Sequence, residues 1–247
     1  MRIADDFGLG RGHDRVILSL LETGRLDGTS VMISTSIDPE DIDRLREFRI
    51  TGVKVGLHLN LTQTIPGGAP IWPLAGLMRP MLDAGFLDEI NLSLTWQVET
   101  FVILFGSLPD FYDSHQHCHC FPAIARLVAD LPTGTETWVR LPLPATWAGR
   151  WLNFRAGGPK VLVIMTLAAR AHTTFSKAGL KTNRDFSGFL RLGDPNSVRR
   201  WLPRLLSSGT PDCLMMLHPG DSADPMQCAG HSPGCRAIEA KLLFEGP

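Results

Sequence analysis

The hydrophobic and polar positions of this chain alternate between two periodicities. Short apolar runs of strand-like composition are separated by longer stretches in which apolar residues recur every three or four positions, the spacing of a helix. The predicted strands are residues 3–4, 29–34, 53–62, 113–119, 138–142 and 212–217, and the predicted helices are 16–21, 39–48, 90–105, 122–129 and 197–206. Strands that alternate with helices are typical of a parallel sheet covered by helices.

This alternation continues over 247 residues without a repeat, a linker or a break in composition. A length near 250 residues suits a closed or nearly closed barrel. We therefore predict an α/β fold, a distorted (β/α) TIM-like barrel of mostly parallel strands with outer helices, formed by one domain over residues 1–247. Residues 63–84 are rich in proline and glycine, and such a long connection is more typical of a functional lid than of a joint.

Composition, charge and cysteine spacing argue against several classes of protein. Hydrophobic residues make up 44% of the chain and the formal net charge is −1, so no basic field is present to attract nucleic acid. The five cysteines are irregularly spaced and do not predict a disulfide framework. The longest apolar run, residues 161–169, is too short to span a membrane, and no leader-like segment opens the sequence. We expect a cytoplasmic protein without nucleic-acid or membrane partners, and a homodimer is compatible with the sequence.

The segment Asp113-Ser114-His115-Gln116-His117-Cys118-His119 is the densest group of chemically active side chains. In an extended backbone its carboxylate and three imidazoles would share one face. Such a face packs poorly in a core but is well suited to a divalent metal ion. Two alternatives are a polar loop with incidental histidines and a fragment of a structural zinc site at residues 118–120.

Further polar residues stand near the ends of other predicted strands. Asp5 and Asp6 follow the first strand, His58 lies in the strand 53–62, and Arg140 and His218 close two later strands. The carboxyl ends of parallel strands meet on one face of a barrel. We therefore expect these side chains to converge with the histidine segment, although each taken alone has an ordinary structural explanation.

Four segments together resemble a known family. Ala4-Asp5-Asp6-Phe7-Gly8-Leu9, Gly56-Leu57-His58-Leu59-Asn60-Leu61-Thr62, the segment 113–119 and His218-Pro219-Gly220 follow the order of motifs in the YdjC/ChbG-like carbohydrate deacetylases. The resemblance implies a distorted barrel, a bound divalent metal, and removal of the acetyl group from N-acetylated sugars, typically chito-oligosaccharides.

By this resemblance Asp6, His58 and His115 would bind the metal ion, Asp5 would be the catalytic base, and His218 would be a second catalytic residue. A cation held by one carboxylate and two imidazoles keeps positions open for a water molecule and the acetyl carbonyl. Mg²⁺ and Zn²⁺ are the expected ions, and manganese or cobalt would also suit this set. His218 would protonate the departing amine.

Other site residues are assigned less directly. Arg140 is expected to belong to the catalytic group by orienting Asp5. His117 and His119 match motif positions and are assigned to substrate contacts. Trp72 lies on the long connection, where it could stack on a sugar ring or pack as an ordinary lid residue.

Two features depart from the family pattern, and two other functions stay open. Only three residues precede Ala4, and the segment 236–247 stops where the family continues, so we expect the barrel to be clipped at both ends. One alternative function is an amidohydrolase-type enzyme acting on another amide. The other is a non-catalytic relative that binds a sugar or a metal ion.

Overall fold

A sheet of parallel strands organises the computed structural model, which describes residues 1–79 and 82–246. The strands in this part of the chain are β1 (Arg2–Phe7), β2 (Gly28–Val31), β3 (Lys54–Leu59), β4 (Phe111–Ser114), β5 (Trp138–Val139), β6 (Lys181–Thr182), β7 (Asp185–Ser187) and β8 (Cys213–Leu217). Their order is β6-β5-β4-β3-β2-β1-β8-β7, and each neighbouring pair is parallel. The sheet is curled, and β6 and β7 are the two ends of its strand order. It therefore forms an open half-barrel.

Helices connect the strands and cover the sheet. They are α1 (Arg11–Glu22), α2 (Pro39–Ile50), α3 (Leu74–Leu77), α4 (Ala84–Phe105), α5 (Pro122–Ala129), α6 (Trp147–Gly157), α7 (Lys160–Lys177), α8 (Pro195–Ser208) and α9 (Pro233–Glu245). The predicted distorted TIM-like α/β fold is confirmed. Among the described residues, the helices fall short of the length and apolar character that crossing a membrane requires.

Local sequence signals explain where several helices begin and end. The Asp38 side chain accepts a hydrogen bond from the backbone N–H of Glu40 at 3.1 Å, and Pro39 occupies the first turn of α2, as expected of a capped helix start. Pro122 opens α5 in the same way. Gly106 ends α4 with a left-handed φ of 71°, a conformation that glycine adopts without a steric penalty.

The first strand is irregular at its acidic pair. Ile3 and Ala4 pair with consecutive residues of β2, but the register shifts before Phe7 pairs with Val31, and Asp6 has a left-handed φ of 68°. In a regular strand, adjacent side chains point to opposite faces. The irregularity re-aims Asp6 and allows both carboxylates to reach the same end of the sheet. The acids thus lie inside a six-residue strand, so the prediction that they follow a shortened first strand is wrong.

The histidine segment is not an extended strand. β4 ends at Ser114, and Gln116 and His117 then adopt left-handed φ values of 54° and 57°. The Ser114 hydroxyl accepts a hydrogen bond from the backbone N–H of His119 at 2.9 Å and closes the turn. The prediction of one shared face for residues 113–119 is therefore wrong. The Ser114 hydroxyl accepts the backbone N–H of His119, and this local hydrogen bond competes with strand pairing.

Candidate metal centre and active site

Three side chains predicted to bind a metal ion meet at one oxygen atom. Asp6 Oδ1 lies 3.3 Å from His58 Nε2 and 3.3 Å from His115 Nδ1. These residues come from β1, from β3 and from the turn after β4, and all are buried. Tetrahedral coordination with bonds of about 2.0–2.1 Å places donor atoms about 3.3 Å apart. The distances from Asp6 Oδ1 to the two histidines therefore match those expected around a single divalent cation, and the rings of His58 and His115 lie 5.9 Å apart.

Sheet register fixes the orientation of His58. His58 and Asp113 are register partners in the β3–β4 pair, and His58 Nδ1 lies 2.6 Å from Asp113 Oδ1. An Nδ1–H that donates to this carboxylate leaves the Nε2 lone pair for a cation. Burial works against protonation of His58, but Asp113 outweighs it and raises the pKa of His58 to about 10. The field that favours a protonated imidazole also favours a bound cation.

The second oxygen of Asp6 is held by the last helix. Arg236 Nη2 donates to Asp6 Oδ2 at 2.6 Å, and Cys228 Sγ lies 3.5 Å from the same oxygen. Burial opposes ionisation of Asp6, but Arg236 and His115 hold its pKa well below the usual range. Asp6 thus presents one free oxygen, Oδ1, to the two histidines.

Asp5 has a different guanidinium partner. Arg140 donates from both terminal nitrogens to the two oxygens of Asp5, each at 2.6 Å, and its Nη2 lies 2.9 Å from Asp113 Oδ2. Burial favours the neutral acid, but Arg140 outweighs it and lowers the pKa of Asp5. Arg140 thus makes the contact with Asp5 that an orienting residue requires.

His218 faces Asp5 from the far side. Its Nε2 lies 3.8 Å from Asp5 Oδ2, and its backbone N–H donates to Glu239 Oε2 of α9 at 2.7 Å. Burial lowers the pKa of His218 to about 4 despite the nearby carboxylates, so the imidazole is neutral at pH 7. Burial also raises the pKa of Glu239 to about 7.

A cavity of about 730 Å³ opens beside these groups, and its polar lining consists of Asp5, His58, Ser114, His115, Gln116, His117, Lys160, Arg191, His218 and His231. Of the three predicted substrate contacts, His117 lies here, with its ring 5.6 Å from that of Phe189. His119 does not line the cavity, since its two ring nitrogens contact Ser114 Oγ and the Arg140 carbonyl, each at 2.7 Å. Both ring nitrogens of His119 thus have partners within the protein, and its assignment to substrate contact stays a prediction.

Trp72 also lies outside the described lining of the cavity. It packs against the core, with its ring 6.0 Å from that of Phe86 in an edge-to-face contact. The structure thus places Trp72 where the lid-packing alternative expects it.

Other groups of side chains come close enough to share an ion. In Asp5–His58–Asp113 and in Asp6–His115–Cys228, the possible ligand atoms lie within 4.8 Å of one another. Arg140 already pairs with both carboxylates of the first group, and the second group shares two residues with the predicted set. The Asp6–His58–His115 set stays a prediction, and two of its members belong to a group whose possible ligand atoms lie within 4.8 Å of one another.

Sequence reasoning missed several residues of this centre. Arg236 and Glu239 are fully buried on α9, and isolated charges in an amphipathic helix usually indicate its solvent face. His231 lies with its ring 5.5 Å from that of His218, in a loop without a recognisable motif. Asp113 was recognised as part of the histidine segment, but its contact with His58 was not predicted. That contact depends on the register of β3 and β4, which the sequence does not reveal.

Comparisons with known proteins agree with the fold and the motifs. A family model described as YdjC-like protein matches residues 3–244. A chitooligosaccharide deacetylase of Escherichia fergusonii is 34% identical over 139 residues, which cover 51% of this chain and 52% of the relative. A protein of the same name from Enterobacter sp. (strain 638) is 36% identical over 137 residues, with the same coverage. The chain thus spans about half the length of the curated relatives it matches.

A solved structure extends the comparison to the whole fold. A protein of Enterococcus faecalis V583, proposed to cleave cellobiose phosphate, superposes with a TM-score of 0.63 over 98% of this chain and 89% of its own. At 17% sequence identity, this likeness concerns the fold alone. The family model, which matches residues 3–244, leads to one conclusion: this chain belongs to the YdjC-like protein family.

Proposed function

We propose that this protein is a metal-dependent carbohydrate deacetylase, which removes the acetyl group from N-acetylated sugars such as chito-oligosaccharides. The observation that carries the proposal is the meeting of His58 Nε2 and His115 Nδ1 at Asp6 Oδ1, at 3.3 Å each, beside a cavity that also exposes Asp5 and His218. The relatives named chitooligosaccharide deacetylase support the substrate class.

The cofactor in this proposal is one divalent ion held by Asp6, His58 and His115. Buried Asp5, Asp6 and Asp113 face two guanidinium groups, those of Arg140 and Arg236, so the carboxylates outnumber the guanidinium groups by one when His58 is neutral. Two imidazole donors favour Zn²⁺, whereas Mg²⁺ would keep several water ligands. An ion held there would supply Lewis-acid chemistry: it would polarise the acetyl carbonyl and lower the pKa of a water molecule from about 16 towards about 7.

The protein's own groups move the protons. Asp5 acts as the general base that accepts a proton from the attacking water, and Arg140 positions its carboxylate through two 2.6 Å hydrogen bonds. Because the pKa of His218 is about 4, His218 is neutral before the reaction and receives its proton from the Asp5 side. It then protonates the amine as the carbon–nitrogen bond breaks. His117, on the cavity wall, contacts the substrate.

The test is acetate release from diacetylchitobiose. Metal-stripped protein is assayed alone and after addition of Zn²⁺, Mg²⁺, Mn²⁺ or Co²⁺, beside the variants His115→Ala and His172→Ala. We expect release only after metal addition, with a loss of at least about 100-fold in His115→Ala, because one of three metal ligands is missing. His172, exposed on α7, is the matched control and should leave the rate unchanged. Folded, metal-loaded protein that releases no acetate from this or other N-acetyl sugars would contradict the proposal.

A further inference from the structure

The cavity has a second side whose chemistry differs from that of the histidines. Val163, Ile164 and Leu167 of α7 form an aliphatic wall, and Leu74 and Met78 extend it from the α3 region. Residues three and four apart lie on the same face of a helix, so α7 presents this row continuously to the cavity. The wall and the candidate metal centre therefore belong to one cavity.

Part of this wall is apolar surface in contact with water. Val163 is 50% exposed and Met78 is 46% exposed. Sugar hydroxyls that lose water need hydrogen-bond partners. These aliphatic side chains offer none, and Lys160, one turn earlier on α7, is the polar neighbour of the row. Sugar rings commonly stack on exposed aromatic faces, but Phe121 and Phe189, which line the described cavity, are only 5% and 3% exposed. The wall suits hydrocarbon better than a second sugar ring.

The opposite side of α7 is a different surface. Leu162, which is 50% exposed like Val163, lines a separate, more open groove between α6 and α7 together with Trp147 and Trp151. Two adjacent residues of one helix thus have equal exposure, and only Val163 reaches the cavity of the metal centre. This pair provides a variant and its control.

We infer that the substrate carries an apolar chain that lies along Val163, Ile164 and Leu167 while its amide reaches the metal centre. The inference rests on the proposed deacetylase function and specifies its substrate class, an amino sugar with a hydrocarbon substituent. The chain is either an acyl group longer than acetyl on the nitrogen or an alkyl aglycone. A cavity of about 730 Å³ is within the range that accepts ligands of this size.

The experiment measures kcat/KM for two substrate series with the metal-loaded protein. One series is methyl, butyl and hexyl N-acetylglucosaminide, and the other is glucosamine carrying N-acetyl, N-butyryl or N-hexanoyl groups. Each methylene that leaves water for the wall should raise kcat/KM about threefold to fourfold. The series that shows the increase identifies the position of the chain. An increase below twofold from the shortest to the longest member in both series would overturn the inference and leave the deacetylase proposal intact.

Two variants test whether the increase in kcat/KM with chain length depends on the aliphatic wall. Val163→Asn should reduce the gain from methyl to hexyl, or from acetyl to hexanoyl, by at least about tenfold, whereas Leu162→Asn should keep it. Val163→Thr, which nearly preserves the side-chain shape, serves if the asparagine variant does not fold. An equal gain in the folded Val163 and Leu162 variants would place the chain elsewhere and overturn the inference.

Calorimetry gives a readout that does not depend on turnover. In at least one of the two series, the longest member should bind wild-type protein more tightly than the shortest, with a more negative heat-capacity change, and Val163→Asn should reduce the difference. If no substrate is hydrolysed but this difference is present, the deacetylase proposal fails and the apolar subsite stands. Equal binding of the longest and shortest members in both series would overturn the subsite.

Discussion

Asp5 and Asp6 are neighbours in sequence, yet different guanidinium groups hold them. Arg140 engages both oxygens of Asp5, whereas Arg236 engages Oδ2 of Asp6 and leaves Oδ1 facing the histidines. The left-handed backbone at Asp6 is what allows two consecutive carboxylates to have separate partners. Each acid therefore owes its role to its environment rather than to its residue type.

Asp14 is a buried acid outside the proposed chemistry, and it makes stability depend on pH. Its Oδ1 accepts a hydrogen bond from the backbone N–H of Gly8 at 2.7 Å, and burial raises its pKa to about 8. Between about pH 4 and pH 8 the unfolded chain ionises this group while the folded protein retains the proton, so stability falls as pH rises. Asp14→Asn keeps the acceptor for Gly8 and removes the titration. We expect the stability of the variant relative to wild type to rise by up to about 4 kcal/mol from pH 5 to pH 8, measured by urea unfolding.

Asp88→Asn is the matched control for this measurement, because Asp88 is exposed on α4. Its stability relative to wild type should change little over the same pH range. A parallel pH dependence in wild type and Asp14→Asn would show that Asp14 does not titrate between these values.

At the scale of elements, the helices with local signals were the most predictable. Residues 122–129 were predicted as a helix and form α5 with the same bounds, because a proline start and the apolar spacing agree. The histidine segment was not predictable from its alternation, since the Ser114–His119 hydrogen bond that folds it is invisible to periodicity. α9 was missed because its buried Arg236 and Glu239 have the composition of a solvent-facing helix.

The turn after β1 depends on Gly8. Its φ is +91°, and a Cβ there would lie 2.4 Å from the Met32 carbonyl oxygen. Gly8→Ala should therefore destabilise the protein by about 3 kcal/mol or more, since strain and a backbone clash add. Gly24 has a φ of +65°, but a Cβ at this position would meet nothing within 4 Å, so Gly24→Ala should cost only about 1 kcal/mol. Equal losses of the two variants in urea unfolding would refute the clash.

At the scale of the whole molecule, the parallel sheet explains why distant residues could be predicted to converge. Strand ends from β1, β3, β4 and β8 bring Asp6, His58, His115 and His218 to one end of the sheet. Parallel strands impose that meeting whatever the side chains are. The contribution of α9 follows from tertiary packing, which no local pattern encodes, and for that reason Arg236 was not predictable.

Arg236 joins the last helix to the first strand, and its removal should be costly in the metal-stripped protein. Arg236→Met leaves Asp6 buried without its guanidinium partner, a change that typically costs about 3–5 kcal/mol. Arg44→Met, which breaks an exposed pair with Glu22, is the control and should cost about 1 kcal/mol or less. Urea unfolding of the two variants measures both losses. Similar losses in the two would show that Asp6 does not depend on Arg236.

The Asp6–Arg236 contact can form only late in the synthesis of the chain. The two residues are 230 positions apart, and a ribosome that adds about 5–20 residues per second needs roughly ten to fifty seconds to make the intervening chain. During that interval the carboxylate of Asp6 lacks its Arg236 partner, and hydration by water is favoured over burial. Burial of the amino-terminal strand in its final form therefore carries a penalty of about 3–5 kcal/mol until the last helix has been made, and we expect this strand to be among the last parts of the sheet to settle.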